Sequence, residues 1–308
     1  IRKLLTTGAL AIAATIAEVP AAHAGKSNDT LVWATPRDIP VADPYYESAR
    51  EMIIMGNTAW DGLLFRNLDS GEYEPLLATS YKWADSTTID FELRDDVKFH
   101  DGSKFGPEDV VYTLNHVSNK DNAVVTLKNV SWIKSAEQTG ANSVRIHLHK
   151  PFPTALAYLA QAVFIMPDGH YDNAPVKADG AKDYGVVKPV GTGPYKIVNF
   201  VSGDRIEMVK NENYMKNGPK GVPSIGKITF RTIKEMNTQL AELLTGGVDW
   251  IWDVPKDQAE KLGGMPGVTV ESAKTMRISY MAFDVNGVSG TEQFMDKNVR
   301  MAVAHAIN

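Results

Sequence analysis

From residue 88 to 94 the chain alternates, with Ile89, Phe91 and Leu93 on one face and Asp90, Glu92 and Arg94 on the other. A period of two is what a half-buried strand requires. Arg94-Asp95-Asp96 interrupts the pattern as a polar turn, Val97 and Phe99 resume it, and His100-Asp101-Gly102 supplies a second turn in which glycine can take a positive φ. Pro107 suits the first turn of a helix, Glu108 and Asp109 suit its positive end, and Val110, Val111, Leu114 and Val117 form an apolar stripe. The pattern therefore predicts strand, double turn and helix between residues 88 and 117.

Elsewhere the reading is also mixed α/β. A short strand is expected at Leu31 to Ala34 and a helix within residues 48 to 64, where Met52, Ile53, Met55, Gly56, Ala59 and Trp60 recur in a broken helical pattern. Val144, Ile146 and Leu148 alternate with Arg145, His147 and His149, and Pro151-Phe152-Pro153 closes that strand ahead of an apolar helical run, TALAYLAQAVF. Tyr195 to Phe200 and Arg205 to Lys210 flank Ser202-Gly203-Asp204 as a β-hairpin. A strand over Lys227 to Ile233 and a helix over Asn237 to Leu244 ending at Gly246-Gly247 follow. Met276 to Phe283, apolar on both faces, reads as a central strand.

The block LRDDVKFHDGSKFGPEDVVYTLN (93 to 115) resembles the signature of the bacterial extracellular solute-binding proteins of the peptide/nickel type, family 5. LVWATPRDIPVADP (31 to 44) and WDGLLFRNLDSGEYEPLLATSYKWAD (60 to 85) are similar to family landmarks upstream of it. PVGTGPYKIVNFVSGDRIEMVKNENYM (189 to 215), LAELLTGGVDWIWDVP (240 to 255) and FMDKNVRMAVAHAIN (294 to 308) resemble those downstream, in the right order. The resemblance implies a two-lobed periplasmic binding protein fold of type II with an extra inserted subdomain. By that analogy residues 25–60 and 185–283 form the first lobe, 61–184 the inserted subdomain, and 284–308 the start of a second lobe that is largely missing. It also implies a monomeric receptor without a cofactor. That receptor would capture an oligopeptide, dipeptide or opine-like solute in an interlobe cleft and deliver it to the permease and ATPase subunits of an ABC importer.

The 308 residues suffice for two ordinary domains, and 44% hydrophobic with 22% charged is a globular profile. Arg2 and Lys3 precede a mostly apolar run that ends in Ala22-His23-Ala24, the small-x-small pattern of a signal peptidase site, so cleavage is expected after Ala24 and a periplasmic location with it. The alternative is an N-terminal membrane anchor, against which Glu18 and Pro20 count. Removing Arg2, Lys3 and Glu18 with residues 1–24 takes the 32 basic and 37 acidic residues to 30 and 36, a net charge of −6. Mild acidity leaves no footprint for nucleic acid. No cysteine occurs in these 308 residues, so they offer no disulfide, lipid-attachment cysteine or thiol nucleophile, which argues against a lipoprotein tethered to the membrane. The chain opens on Ile1 and stops at Asn308 within a helical pattern capped by Asp296, and truncation at both ends is the expectation.

The candidate chemistry is that of recognition. His100-Asp101 has the residue types of a zinc pair, but neighbours in a turn rarely converge on one ion, and Asp101 is placed to cap the turn. His147 and His149 share a strand face that Arg145 marks as solvated. Gly191-Thr192-Gly193 lacks the lysine and spacing of a phosphate loop, and its glycines read as a sharp turn at a lobe crossing. No G-x-S-x-G or HExxH motif occurs, so nothing calls for an enzyme. Tyr45, Tyr46, Trp252, Arg277, Ser279 and Tyr280 are the ligand candidates, aromatic faces for apolar groups and charge for termini. Arg277 in an apolar strand must meet either a structural carboxylate or a ligand's negative group, and both stay open. Trp250 and Trp252 share a face if extended and read as an aromatic core layer, and Trp33 and Trp60 read as core as well. The rivals are a nickel- or haem-type chelate carrier, a secreted hydrolase with its catalytic residues in the missing part, and a chaperone or adhesion-like surface protein.

Overall fold

The computed structural model describes residues 25–274 and 280–307. The expected leader and cleavage site, and the candidates Arg277 and Ser279, lie outside these residues. In chain order the strands are β1 (Thr30–Thr35), β2 (Leu64–Arg66), β3 (Tyr73–Pro75), β4 (Ala78–Asp85), β5 (Thr88–Leu93), β6 (Ile133–Gly140), β7 (Ser143–Leu148), β8 (Tyr195–Val201), β9 (Arg205–Lys210) and β10 (Lys227–Thr232). The helices are α1 (Arg50–Ala59), α2 (Pro107–Ser118), α3 (Ala155–Gln161), α4 (Met236–Thr245), α5 (Lys256–Leu262) and α6 (Lys297–Ala306).

Residues up to Val254 make one compact unit and those from Pro255 a second. The first unit holds two four-stranded sheets, β1-β10-β9-β8 and β4-β5-β7-β6, with β2 and β3 paired apart. β1 and β10 run parallel, and Trp250 adds a further parallel bridge to Trp33, so the 249–252 segment extends the sheet beyond β1. In the other sheet Ile89, Phe91, Val144 and Ile146 are wholly buried, and α2 packs against β6 and β7 with Val110, Leu114 and Val117 buried. The opposite face carries a cross-strand ion pair, Asp90 with Arg145 at 2.6 Å, and a hydrogen bond between Glu137 and His147 at 3.0 Å. His147 thus sits on a solvated polar face.

The double turn and the helix form as their residues predict. Asp101 Oδ1 accepts from the Ser103 amide at 3.0 Å, Gly102 takes φ +94°, and Asp109 accepts from the Gly106 amide at 2.7 Å to cap α2. Beyond α3, the extended stretch from Val163 to Asp168 has its backbone satisfied largely by side chains instead of a strand. Tyr45 Oη bonds both N and O of Phe164, Thr113 Oγ1 bonds both N and O of Met166, and Asp109 accepts from the Asp168 amide. A buried backbone must find partners, and here α2 and the 43–46 turn supply them.

One expectation is refined and one corrected. The chain does bend at Gly193-Pro194, but neither Gly191 nor Gly193 takes a positive φ. A Cβ on Gly193 would stand 2.5 Å from the carbonyl carbon of Ala59 and 2.7 Å from Thr58 O, so close approach to the end of α1 demands glycine. His100 locks the same segment, its amide donating to Gly191 O at 2.8 Å and its Nε2 lying 2.9 Å from Gly193 O. The strand expected over 276–283 lies in part outside the described residues, and 280–283 belong to no regular element.

In the second unit Asp296 caps α6 by accepting from the Asn298 amide at 2.8 Å. Asp284 accepts from the Ser289 amide at 2.6 Å, and the rings of Phe283 and Phe294 lie 5.4 Å apart.

Candidate functional site

The carboxyl ends of β1 and β10 open where the chain leaves the sheet, the place where open α/β sheets bind ligands. Trp33, on β1, is buried among Phe230 at 4.5 Å, Trp250 stacked at 4.8 Å and Trp252 edge-on at 4.5 Å. Two residues on, Thr35 Oγ1 donates to Glu51 Oε1 at 3.1 Å, which fixes the start of α1 against the strand end. Arg50, the first residue of α1, lays its guanidinium 3.7 Å from the centre of the Trp252 ring and donates from Nη2 to Asp253 at 2.7 Å. Asp253 takes a left-handed backbone, φ +56°, at the point where the 249–252 segment ends. Aspartate tolerates that region better than most residues, and such strain collects at functional sites.

The corner is incompletely satisfied. Glu51 is 3% exposed, yet among the described residues its Oε2 makes no hydrogen bond, with the Arg37 guanidinium 3.8 Å away. The indole Nε1 atoms of Trp33 and Trp252 are likewise buried without a hydrogen-bond partner. Trp250 remains 46% exposed. Chemically the corner offers an aromatic ledge, a guanidinium held in place, and indole donors: a surface for recognising a planar or anionic group. Among the described residues no three His, Asp or Glu side chains are grouped to hold a metal.

Two other polar clusters are more fully paired, although His170 Nε2 in the second is buried without a hydrogen-bond partner. Asp61, wholly buried, pairs with Lys220 at 2.7 Å and accepts from Thr192 at 3.0 Å and Tyr214 at 3.2 Å, while Lys220 also donates to the carbonyls of Asn57 and Trp60. Behind the 43–46 turn, Asp43 accepts from the Tyr45 and Tyr46 amides and from Tyr171 Oη, and burial lifts its carboxyl to about 6. His116 stacks on Tyr171 at 4.4 Å and His170 meets the same ring edge-on at 4.6 Å, and burial lowers both imidazoles to about 4.

Of the sequence candidates described in the first unit, Trp252 lies at the corner. Tyr45 is wholly buried with its hydroxyl committed to Phe164. Tyr46 sits in the histidine–tyrosine cluster, stacked on Tyr184 at 5.3 Å and bonded to His116 and to Asn122 O. Tyr280 is 82% exposed in the second unit. Arg50, Glu51 and Asp253 were missed, since nothing local in the sequence pairs residues 203 positions apart.

Solved structures define the class. A dipeptide-binding protein from Pseudoalteromonas sp. SM9913 in complex with Met-Leu matches with a TM-score of 0.78, 22% identity, 91% of this chain and 57% of that one. NikZ from Campylobacter jejuni in complex with Ni(L-His) matches with a TM-score of 0.60 at 28% identity, over 71% of this chain and 42% of that one. The fold is that of the periplasmic binding proteins. Residues 72–308 match the model of the bacterial extracellular solute-binding proteins, family 5 (middle), and the chain belongs to that family. The glutathione-binding protein GsiB of Salmonella typhi is 27% identical over 304 residues, 97% of this chain and 55% of the relative. The chain thus spans about half the length of the relatives it matches. Members of this family are binding proteins of ABC-type solute uptake.

Proposed function

We propose that this chain is part of the periplasmic solute-binding component of an ABC importer, capturing a peptide-like or related small solute and handing it, unaltered, to a permease. The observation that carries the reading is the unsaturated corner of Arg50, Glu51, Trp252 and Asp253 at the carboxyl ends of parallel strands. Family membership supports it, as do relatives whose names and structures speak of glutathione and Met-Leu. The lobe division expected from the resemblance is supported by the two sheets: β4 to β7 lie within 61–184, whereas β1 and β8 to β10 lie outside it. We assign the corner to the first lobe and residues 1–24 to an export leader. Arg277 and Ser279 stay proposed as contacts, while Tyr45 and Tyr46 pass to a supporting role behind α1.

The relative bound to Ni(L-His) favours one second reading, a metal-chelate carrier. Native mass spectrometry of the protein with whatever co-purifies, plus metal analysis, decides. An organic solute recovered intact in a one-to-one complex is the expected result. Stoichiometric metal would establish the carrier, and conversion of the solute would overturn the receptor reading.

A further inference from the structure

We propose, resting on the solute-binding reading above, that the solute presents a carboxylate with a flat apolar group beside it, the carboxylate taken by Arg50 and the flat group laid on Trp250. Three observations carry this. Arg50 is held before any solute arrives, by the Trp252 face at 3.7 Å and by Asp253 at Nη2, so little of its side-chain freedom remains to be lost on binding. Its Nε and Nη1 make no hydrogen bond among the described residues and its side chain is 42% exposed; Nη2 gives Asp253 one of its two hydrogens, so the second remains to form a fork with Nε or Nη1. A planar fork of that kind matches a carboxylate better than it matches a neutral oxygen.

Trp250 spends one face on Trp33, stacked at 4.8 Å with 28° between the planes, and stays 46% exposed nonetheless. A ring already stacked on one side presents its other side as a ledge for a second flat group. The ring centres of Trp250 and Trp252 are 6.3 Å apart, so the ledge lies beside the ring that carries the guanidinium. Ile53, one helical turn on from Arg50 and 37% exposed, adds apolar surface to the same face of α1.

The charges nearby do not oppose an anion. Glu51 is turned into the protein toward Thr35, Asp253 is matched by Arg50, and Arg37 stands by Glu51 with its side chain 66% exposed. Of the unpartnered polar atoms of the corner, the indole N–H groups of Trp33 and Trp252 are donors, the chemistry an oxyanion uses, and Glu51 Oε2 is an acceptor with Arg37 beside it.

The test titrates the full chain with benzoate, benzamide, cyclohexanecarboxylate and acetate, following tryptophan indole NMR shifts. Benzoate is expected to bind tightest, at least ~10-fold ahead of its neutral isostere benzamide, because the fork discriminates by charge. Cyclohexanecarboxylate and acetate should follow, having charge but no flat face. Arg50→Gln should remove the preference for benzoate over benzamide, Arg50→Lys should restore only part of it, and Trp250→Ala should bring benzoate down to acetate. Unchanged circular dichroism in each variant excludes misfolding as the cause. Equal binding of benzoate and benzamide, or a preference that survives Arg50→Gln, overturns the inference. A co-purifying solute without a carboxylate would also overturn it and leave the receptor reading standing, whereas conversion of the solute would sink that reading first.

Discussion

The Asp61–Lys220 node and the Arg50–Trp252 corner stand at opposite ends of one helix, α1, and treat charge in opposite ways. At the node every group is used: Asp61 receives Lys220, Thr192 and Tyr214, and Lys220 also closes the carbonyls of Asn57 and Trp60 at the helix's C-terminal end. At the corner Glu51 Oε2 and two indole donors make no hydrogen bond, and the Arg50–Asp253 pair is more than two-fifths exposed on both sides. Buried polar groups are ordinarily paired, and a paired, enclosed charge belongs to architecture. Unmet polar groups beside exposed aromatic rings mark where a fold leaves room for a second molecule. The difference separates what holds α1 from what α1 presents.

Four substitutions break or sharpen that contrast. The largest effect is expected from Lys220→Met, which strands the wholly buried Asp61 carboxylate: unpairing a buried ion costs about 3–5 kcal/mol, read as a drop in urea-unfolding stability. A loss below about 1 kcal/mol would show that the node is not the anchor of α1. Tyr45→Phe comes next. It leaves the amide and carbonyl of Phe164 without their side-chain partner, at roughly 1–3 kcal/mol, because a buried group left unmet costs its desolvation. Unchanged stability would mean that the 163–168 stretch holds without the side chains that now satisfy it.

The third effect depends on pH. Burial depresses His116 and His170 to about 4, so the stability they give as neutral rings is whole above 6.5 and is lost as pH falls from 6.5 through about 4. Asp43 and Asp109 are raised to about 6, also chiefly by burial, and act in the other direction, stabilising the fold as pH falls from 6 toward 3.8. The two pairs offset one another, so these four groups give a nearly flat profile between pH 4 and 7. His170→Phe removes one loss and should raise stability at pH 4.5 relative to pH 7 by on the order of 1 kcal/mol. An unaltered pH profile would remove His170 from this balance. Smallest of all is Arg50→Ala, expected to cost under about 1 kcal/mol of stability, the range of an exposed ion pair. A larger loss would move the corner to the architectural side of the comparison.

Much of the frame was legible because its residues carry local signals. Pro107, Asp109 and the Val110–Leu114–Val117 stripe define α2, and Gly203, at φ +73°, sits in the turn between β8 and β9 where hairpin chemistry places it. β4 gave no such signal, because it lies at a sheet edge with most of its residues exposed and so never alternates. Gly191 and Gly193 looked like turn residues, since close approach to Ala59 leaves no mark in the sequence beside them. The corner was legible only at Trp252. Arg50 looked like one more polar residue at a helix start, and its partners at 252 and 253 become neighbours only once the 249–252 segment joins β1. Recognition chemistry assembled across the chain is legible in its residue types and hidden in its pairings.

The most direct test of the division is indole NMR on this chain, whose six tryptophans give separate Nε1–H signals, with the co-purified solute added back to a stripped sample. The account predicts that Trp33, Trp250 and Trp252 shift on binding while Trp60, whose Nε1 donates to Val190 O beside the saturated node, does not. Shifts at Trp60 with silence from Trp250 and Trp252 would contradict it.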